Sequence, residues 1–201
     1  MLQKPFSQAC ENNKTPILNE LKRIFQRTNS VLEIGSGTGQ HAVFFAQNLP
    51  WLTWQSTDRP ENIAGINLWL EEAQLANLLP GKVLDVSESH WPENFDAVFS
   101  SNTAHIMSWS IAQTMISGVA RRLPEGGVFA LYGPFNYGGA YTSDSNREFD
   151  AWLRAHNPVQ GLRDFEQVNA CAQTHGLHLC EDNAMPANNR LLVWSKTEAI
   201  K

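Results

Sequence analysis

Apolar residues in this chain fall into short runs bounded by turn-forming clusters, and between the runs they recur at the spacing of a helix that buries one face. The strand-like runs cover residues 31–34, 52–57, 82–86, 95–101, 127–132, 177–181 and 190–194. Helical periodicity covers 16–26, 41–49, 61–78, 111–123, 145–156 and 165–175, with Thr15 as a cap before Pro16 at the first helical position. Strand and helix alternate up to residue 132, which predicts a parallel sheet covered on both faces through right-handed crossovers. The last two runs, separated by Asp182-Asn-Ala-Met-Pro-Ala-Asn-Asn189, predict an antiparallel hairpin. No repeat or linker interrupts the pattern, so residues 1–201 are expected to form one domain.

One turn does more than reverse the chain. In Val31-Leu-Glu-Ile-Gly-Ser-Gly-Thr-Gly-Gln-His41, Gly35, Gly37 and Gly39 alternate between a strand and a helix. Such a turn lets a ligand approach the main chain, and its N–H groups with the helix N-terminus offer donors to an anionic or carboxylate-bearing group. Glu33, inside the strand, is costly to bury unless loop N–H groups or a ligand satisfy it. Asp58 ends the second strand roughly 20 positions after Gly39, where a carboxylate accepts from both hydroxyls of a ribose. Asp85 ends the third strand and can accept from an exocyclic amine such as adenine N6, with Leu84, Val86 or Trp109 against the ring. A nicotinamide cofactor is the rival, but Gln40 stands where the third glycine of G-x-G-x-x-G belongs, and no G-x-x-x-x-G-K-[ST] occurs.

Composition narrows the partners. A formal charge of -5 and basic pairs only at Lys22-Arg23 and Arg121-Arg122 argue against nucleic acid. Cys10, Cys171 and Cys180 show no Cys-x-x-Cys spacing, so a disulfide framework is not expected and a reducing cytoplasm is. The start of the chain lacks an apolar signal core, and no apolar segment nears the roughly 20 residues of a membrane span. The histidines lack metal-ligand spacing, so no metal is expected. The remaining expectation is a small-molecule partner and a monomer or homodimer.

The acid-x-glycine-x-glycine-x-glycine run, with acids at two later strand ends, resembles the class I S-adenosylmethionine-dependent methyltransferases. Closer likeness is to a methyltransferase-like family of uncharacterised function, domain of unknown function 938. Four segments carry it: Cys10-Glu-Asn-Asn-Lys-Thr-Pro-Ile-Leu18, Ser101-Asn-Thr-Ala-His-Ile106, Tyr132-Gly-Pro-Phe135 through Ser145-Asn146, and Met185-Pro-Ala-Asn-Asn189. The resemblance implies a Rossmann-like three-layer α/β sandwich whose seven-stranded, mostly parallel sheet ends in an antiparallel hairpin. It also implies S-adenosyl-L-methionine as cofactor, held by Gly35, Gly37, Gly39, Asp58 and Asp85; Glu33, Gln40, Val86 and Asn102 are expected at the same site, with residues 1–28 capping it.

Methyl transfer needs in-line alignment and exclusion of water more than a dedicated acid or base. Asn102 and His105 follow the fourth strand and are candidates for positioning the acceptor, His105 also as a base with a pKa near neutrality. Tyr132 ends the fifth strand and is a third catalytic candidate. The glycine-rich loop at residues 133–143 is lid-like, with Tyr137 and Tyr141 facing an aromatic acceptor that Asn188 and Asn189 reach from the hairpin. A cofactor-binding module without turnover is the alternative reading.

Overall fold

The structure, a computed structural model, describes residues 3–196. The chain divides into two compact units that meet in sequence after Ser100. The first holds α1 (Gln8–Ile24), β1 (Ser30–Ile34), α2 (Gln40–Asn48), β2 (Thr53–Asp58), α3 (Pro60–Ala73), β3 (Leu78–Val83) and most of β4 (Ala97–Ser101). The second holds α4 (Trp109–Arg122), β5 (Val128–Gly133), β6 (Phe135–Asn136), α5 (Asp144–His156), β7 (Arg163–Asp164), α6 (Phe165–Thr174), β8 (Leu177–Met185) and β9 (Asn189–Lys196). Seven strands form one mixed sheet in the order β3-β2-β1-β4-β5-β9-β8.

In the first unit β1 pairs in parallel with β2 and β4, and β2 with β3. Phe45 of α2 packs against Trp54 of β2 and Phe99 of β4, with ring centroids 5.5 Å apart in each case. β2 is polar yet buried, because its side chains are satisfied by neighbouring strands. Thr57 Oγ1 donates to the Glu33 carbonyl at 2.6 Å, and Gln55 Nε2 donates to the Pro80 carbonyl at 2.7 Å. In the second unit β9 runs antiparallel to both β5 and β8. Phe129 stacks on Trp194 at 5.5 Å, and the Trp194 indole donates to Asn169.

Four local expectations are corrected. The first helix starts at Gln8 rather than Pro16: Ser7, not Thr15, caps it, and Pro16 lies inside. The turns ahead of the proline are held by bonds from Glu11 and Asn13 to α2, which outweigh its breaking tendency. The third helix ends at Ala73, and the third strand runs Leu78–Val83 instead of 82–86. Pro80 and Gly81 read as a turn, but β3 is an edge strand with a register shift, where a missing N–H is tolerated. The hairpin strands run on through Met185 and from Asn189, so the expected eight-residue connection shrinks to a turn at Pro186–Asn188. The segment after β5 is not a free loop: β6 pairs in parallel with β7, and Phe135 and Asn136 are buried.

Candidate functional site

In the first unit the glycine turn closes over the ends of β1 and β2. Gly35 and Ser36 both donate backbone N–H bonds to the Thr57 carbonyl at 3.0 Å. Asp58, 8% exposed, accepts from the Gly37 N–H at 2.7 Å through one carboxylate oxygen. Its other oxygen accepts from the Arg59 N–H at 2.7 Å and from Asn62 Nδ2 at 2.8 Å. Asp58 thus ends β2, as the sequence predicts, and ties the loop to the start of α3.

The glycines have separate reasons to be there. Gly39 has φ 88°, and a Cβ on it would lie 3.2 Å from the Ile66 carbonyl, so α3 packs directly on the loop. Gly37 has φ 60°, and a Cβ on it would meet nothing within 4 Å. Its outer side is open.

Glu33 supports this loop from below. It is 1% exposed, and its Oε2 accepts from Ser36 Oγ at 2.8 Å and Trp54 Nε1 at 3.0 Å. Its partners are therefore side chains rather than the loop N–H groups expected. Burial, with the charge of Asp58 adding to it, pushes its carboxyl up to about 7 despite those donors. Gln40 braces the loop from the N-terminal side. Its Oε1 accepts from the Ser7 N–H at 2.6 Å and Thr38 Oγ1 at 3.0 Å, and its Nε2 donates to Glu11 at 2.6 Å. His41 beside it bonds Asn13 at 2.7 Å.

Asp85 corrects the sequence reading: it lies beyond β3, which ends at Val83. Its Oδ1 accepts from the backbone and hydroxyl of Ser87 at 2.9 and 2.6 Å, and those bonds hold its carboxyl below the usual range. The Leu84 N–H donates to the Asp58 carbonyl at 2.8 Å, which keeps this turn beside the end of β2, and Leu84 and Val86 are buried.

In the second unit Asn102 has φ 58°, and its N–H donates to the Tyr132 carbonyl at 2.9 Å. A Cβ on Gly133 would lie 3.6 Å from His105 Nδ1 and 3.8 Å from Asn102 Oδ1, so the structure brings these two candidates together. His105 is 5% exposed, edge-on to Phe149 at 5.2 Å. Burial, reinforced by the Arg163 charge, lowers its pKa to about 4, which corrects the expectation of a base near neutrality. Tyr132 is 2% exposed and packs in the interior.

Tyr137, Asn188 and Asn189 share a cavity of about 310 Å³ with Thr142, Met185 and Arg190. Tyr141 is not in its lining; its hydroxyl donates to Asp150 at 2.7 Å. The Tyr137 hydroxyl donates to both oxygens of Asp182, at 2.8 and 3.0 Å, and burial, with Asp182 adding to it, raises its pKa. Arg190 donates through Nε to Asp182 Oδ1 at 2.6 Å and through Nη2 to the Asp182 carbonyl at 2.9 Å. Sequence reasoning missed Arg190. The available signal was its opposite charge across the short turn, since Asp182 and Arg190 are diagonal neighbours once Ala184 pairs with Arg190. At the cavity lip Ala187 (φ 56°, ψ 39°) and Asn188 (φ 57°) are consecutive left-handed residues, a strain of about 1–2 kcal/mol per residue. Among the described residues no cluster of three or more His, Cys, Asp or Glu is placed to hold a metal, and no helix is long and apolar enough to cross a membrane.

The strand order, the acid-edged glycine turn and the antiparallel β8–β9 pair define the Rossmann-like fold of the class I methyltransferases. Within that fold, the chain belongs to the family described as "Protein of unknown function (DUF938)", whose model matches residues 4–196. Three of the solved structures that share the fold illustrate the likeness. An O-methyltransferase family protein from Burkholderia thailandensis superposes with a TM-score of 0.80 at 14% identity, over 92% of this chain and 57% of that one. An O-methyltransferase family 2 protein from Planctomyces limnophilus in complex with apigenin gives 0.81 at 16%, over 94% and 58%. Human N-acetylserotonin methyltransferase in complex with SAM gives 0.78 at 12%, over 95% and 53%. The chain therefore spans little more than half the length of these structures.

Proposed function

We propose that this protein transfers a methyl group from S-adenosylmethionine to a small-molecule acceptor. The observation that carries the reading is the glycine turn: Asp58 holds the Gly37 N–H, and the space above Gly37 is open. In this reading Gly35, Gly37 and Gly39 pass under the methionine part and ribose, and Asp58 accepts from the ribose hydroxyls. Asp85 and Val86 flank the adenine. Glu33 and Gln40 act on the loop rather than on the ligand, and the N-terminal segment caps it through Ser7, whose N–H donates to Gln40, and Glu11, which accepts from Gln40.

The cofactor, when bound, supplies a methyl group already activated on sulfur. What remains for the chain is alignment, which can supply roughly 7–11 kcal/mol of a barrier. Asn102, also assigned to the cofactor, His105 and Tyr132 belong to the positioning side of this reading, and the cavity of Tyr137, Asn188 and Asn189 to acceptor recognition. Tyr141 enters only through Asp150. A single catalytic domain, a cytoplasmic location and a monomer or homodimer are part of the same proposal; the family match across both units supports the first.

Titration calorimetry with S-adenosylmethionine, S-adenosylhomocysteine and, as control, NAD(H) tests it. Micromolar binding of the first two alone is expected, at least tenfold weaker in Asp58→Ala, since a charge-assisted bond contributes about 1.5–3 kcal/mol. Binding of NAD(H) alone, or of none, overturns the cofactor. The alternative is a cofactor-binding module without turnover. Transfer of a labelled methyl group into a small-molecule extract separates the two.

A further inference from the structure

We infer that the cavity in the second unit takes a ligand bearing a carboxylate, seated on Arg190; calling that ligand the methyl acceptor rests on the methyltransferase reading. Three observations carry the inference. First, the bonds of Arg190 to Asp182 engage Nε and Nη2 and leave the Nη1 corner of the guanidinium outside those two bonds, on a residue that lines the cavity; the guanidinium also bonds the Tyr137 hydroxyl. A planar guanidinium fixed along one edge is a pre-organised seat for a planar anion along the other. Asp182 cannot swing to cover that corner, because Tyr137 donates to both of its oxygens.

Second, the Tyr137 ring offers little aromatic surface. Phe165 stacks on it at 5.0 Å, and the Arg190 guanidinium lies 5.6 Å from its centroid. Ring stacking, the natural expectation for a tyrosine-lined pocket, is therefore displaced by charge and hydrogen bonding. Third, the polar groups at the lip are disposed to donate. Thr142 Oγ1 accepts from Asn146 Nδ2 at 2.8 Å, which leaves its O–H for a ligand oxygen. Among the described residues the lining holds no acidic side chain, and Asp182 stands behind Tyr137 and Arg190.

The strained turn fits the same role. Ala187 and Asn188 are held in the left-handed region with Asn146 Nδ2 donating to the Asn188 carbonyl at 3.2 Å, and that bond fixes the lip beside Arg190. Backbone strain kept by surrounding bonds is a property of ligand clamps.

The test uses the full chain labelled with ¹⁵N-arginine and three matched probe pairs: benzoate with benzamide, hexanoate with hexanamide, and indole-3-acetate with indole-3-acetamide. At least one carboxylate is expected to bind tenfold or more tightly than its amide and to shift the Arg190 side-chain resonance. Arg190→Lys keeps a charge for Asp182 but loses the planar edge, and should lower that preference about tenfold; Arg190→Gln should abolish it. Thr142→Val, which leaves the Asp182–Arg190 pair in place, should weaken the carboxylate severalfold. The inference is overturned if no carboxylate binds, if amides bind equally, or if the preference survives both Arg190 variants. S-adenosylhomocysteine titrated into the same samples reads the cofactor separately, so loss of one binding and retention of the other tells which reading has failed.

Discussion

Glu33 shows how one buried side chain makes the loop sensitive to protonation. Its carboxyl rises to about 7 in the fold from an ordinary value of 4.5, chiefly through burial. The neutral form is the favoured one, so its contribution to stability is full below pH 4.5 and is lost as pH rises through 7, on the order of 3 kcal/mol. Glu33→Gln copies the protonated side chain and still accepts from Ser36 and Trp54. It is therefore expected to be more stable than the parent at pH 8 and about equal to it at pH 4.5, measured by urea unfolding. A variant less stable than the parent at pH 8 would show that the charged form is the one the fold wants. The sequence made the cost of burying Glu33 plain, but not that Trp54 and Ser36 meet it, because a tryptophan in a neighbouring strand reads only as core.

Gln40 joins two elements that the hydrophobic pattern treats as unrelated. Its amide takes a bond from Ser7 and gives one to Glu11, so the first two turns of α1 depend on the start of α2. Gln40→Ala is expected to cost about 1–3 kcal/mol, the range for leaving buried polar groups unmatched. It should also raise amide exchange in residues 8–14 without affecting β8 and β9, read by hydrogen-exchange mass spectrometry; unchanged protection at 8–14 would refute the clasp. This clasp is why α1 begins before Pro16, and nothing in residues 8–15 alone announces it. The buried runs at Val31 and Phe95 were legible because continuous β-branched and aromatic residues fit only a covered strand. β3 was not, since Pro80-Gly81 is a turn signal everywhere except on a sheet edge. Asp85 was misplaced for the same reason, and Arg190 was hidden behind a hairpin judged too short.

For the molecule as a whole the pH response is a sum of opposing groups. His41 and His105 are both lowered to about 4 from 6.5, mainly by burial, so the stability they contribute is present above pH 6.5 and is lost as pH falls toward 4. Between pH 7 and 4.5 they are expected to remove about 5 kcal/mol while Glu33 returns about 3, against a typical total of about 5–15. The parent should lose about 2–3 kcal/mol over that interval and Glu33→Gln about twice as much, by denaturant unfolding. A flat profile in both would contradict neutral burial of the histidines.

The open sheet also has two free margins, and each is blunted. β3 carries Pro80, a register shift and an exposed Lys82, and β8 carries a register shift between Leu179 and Glu181 followed by Asp182. Neither margin offers the flat, regular row of unpaired backbone groups that recruits strands from other chains, so resistance to edge-to-edge aggregation is written into the irregularities that made these strands hardest to read.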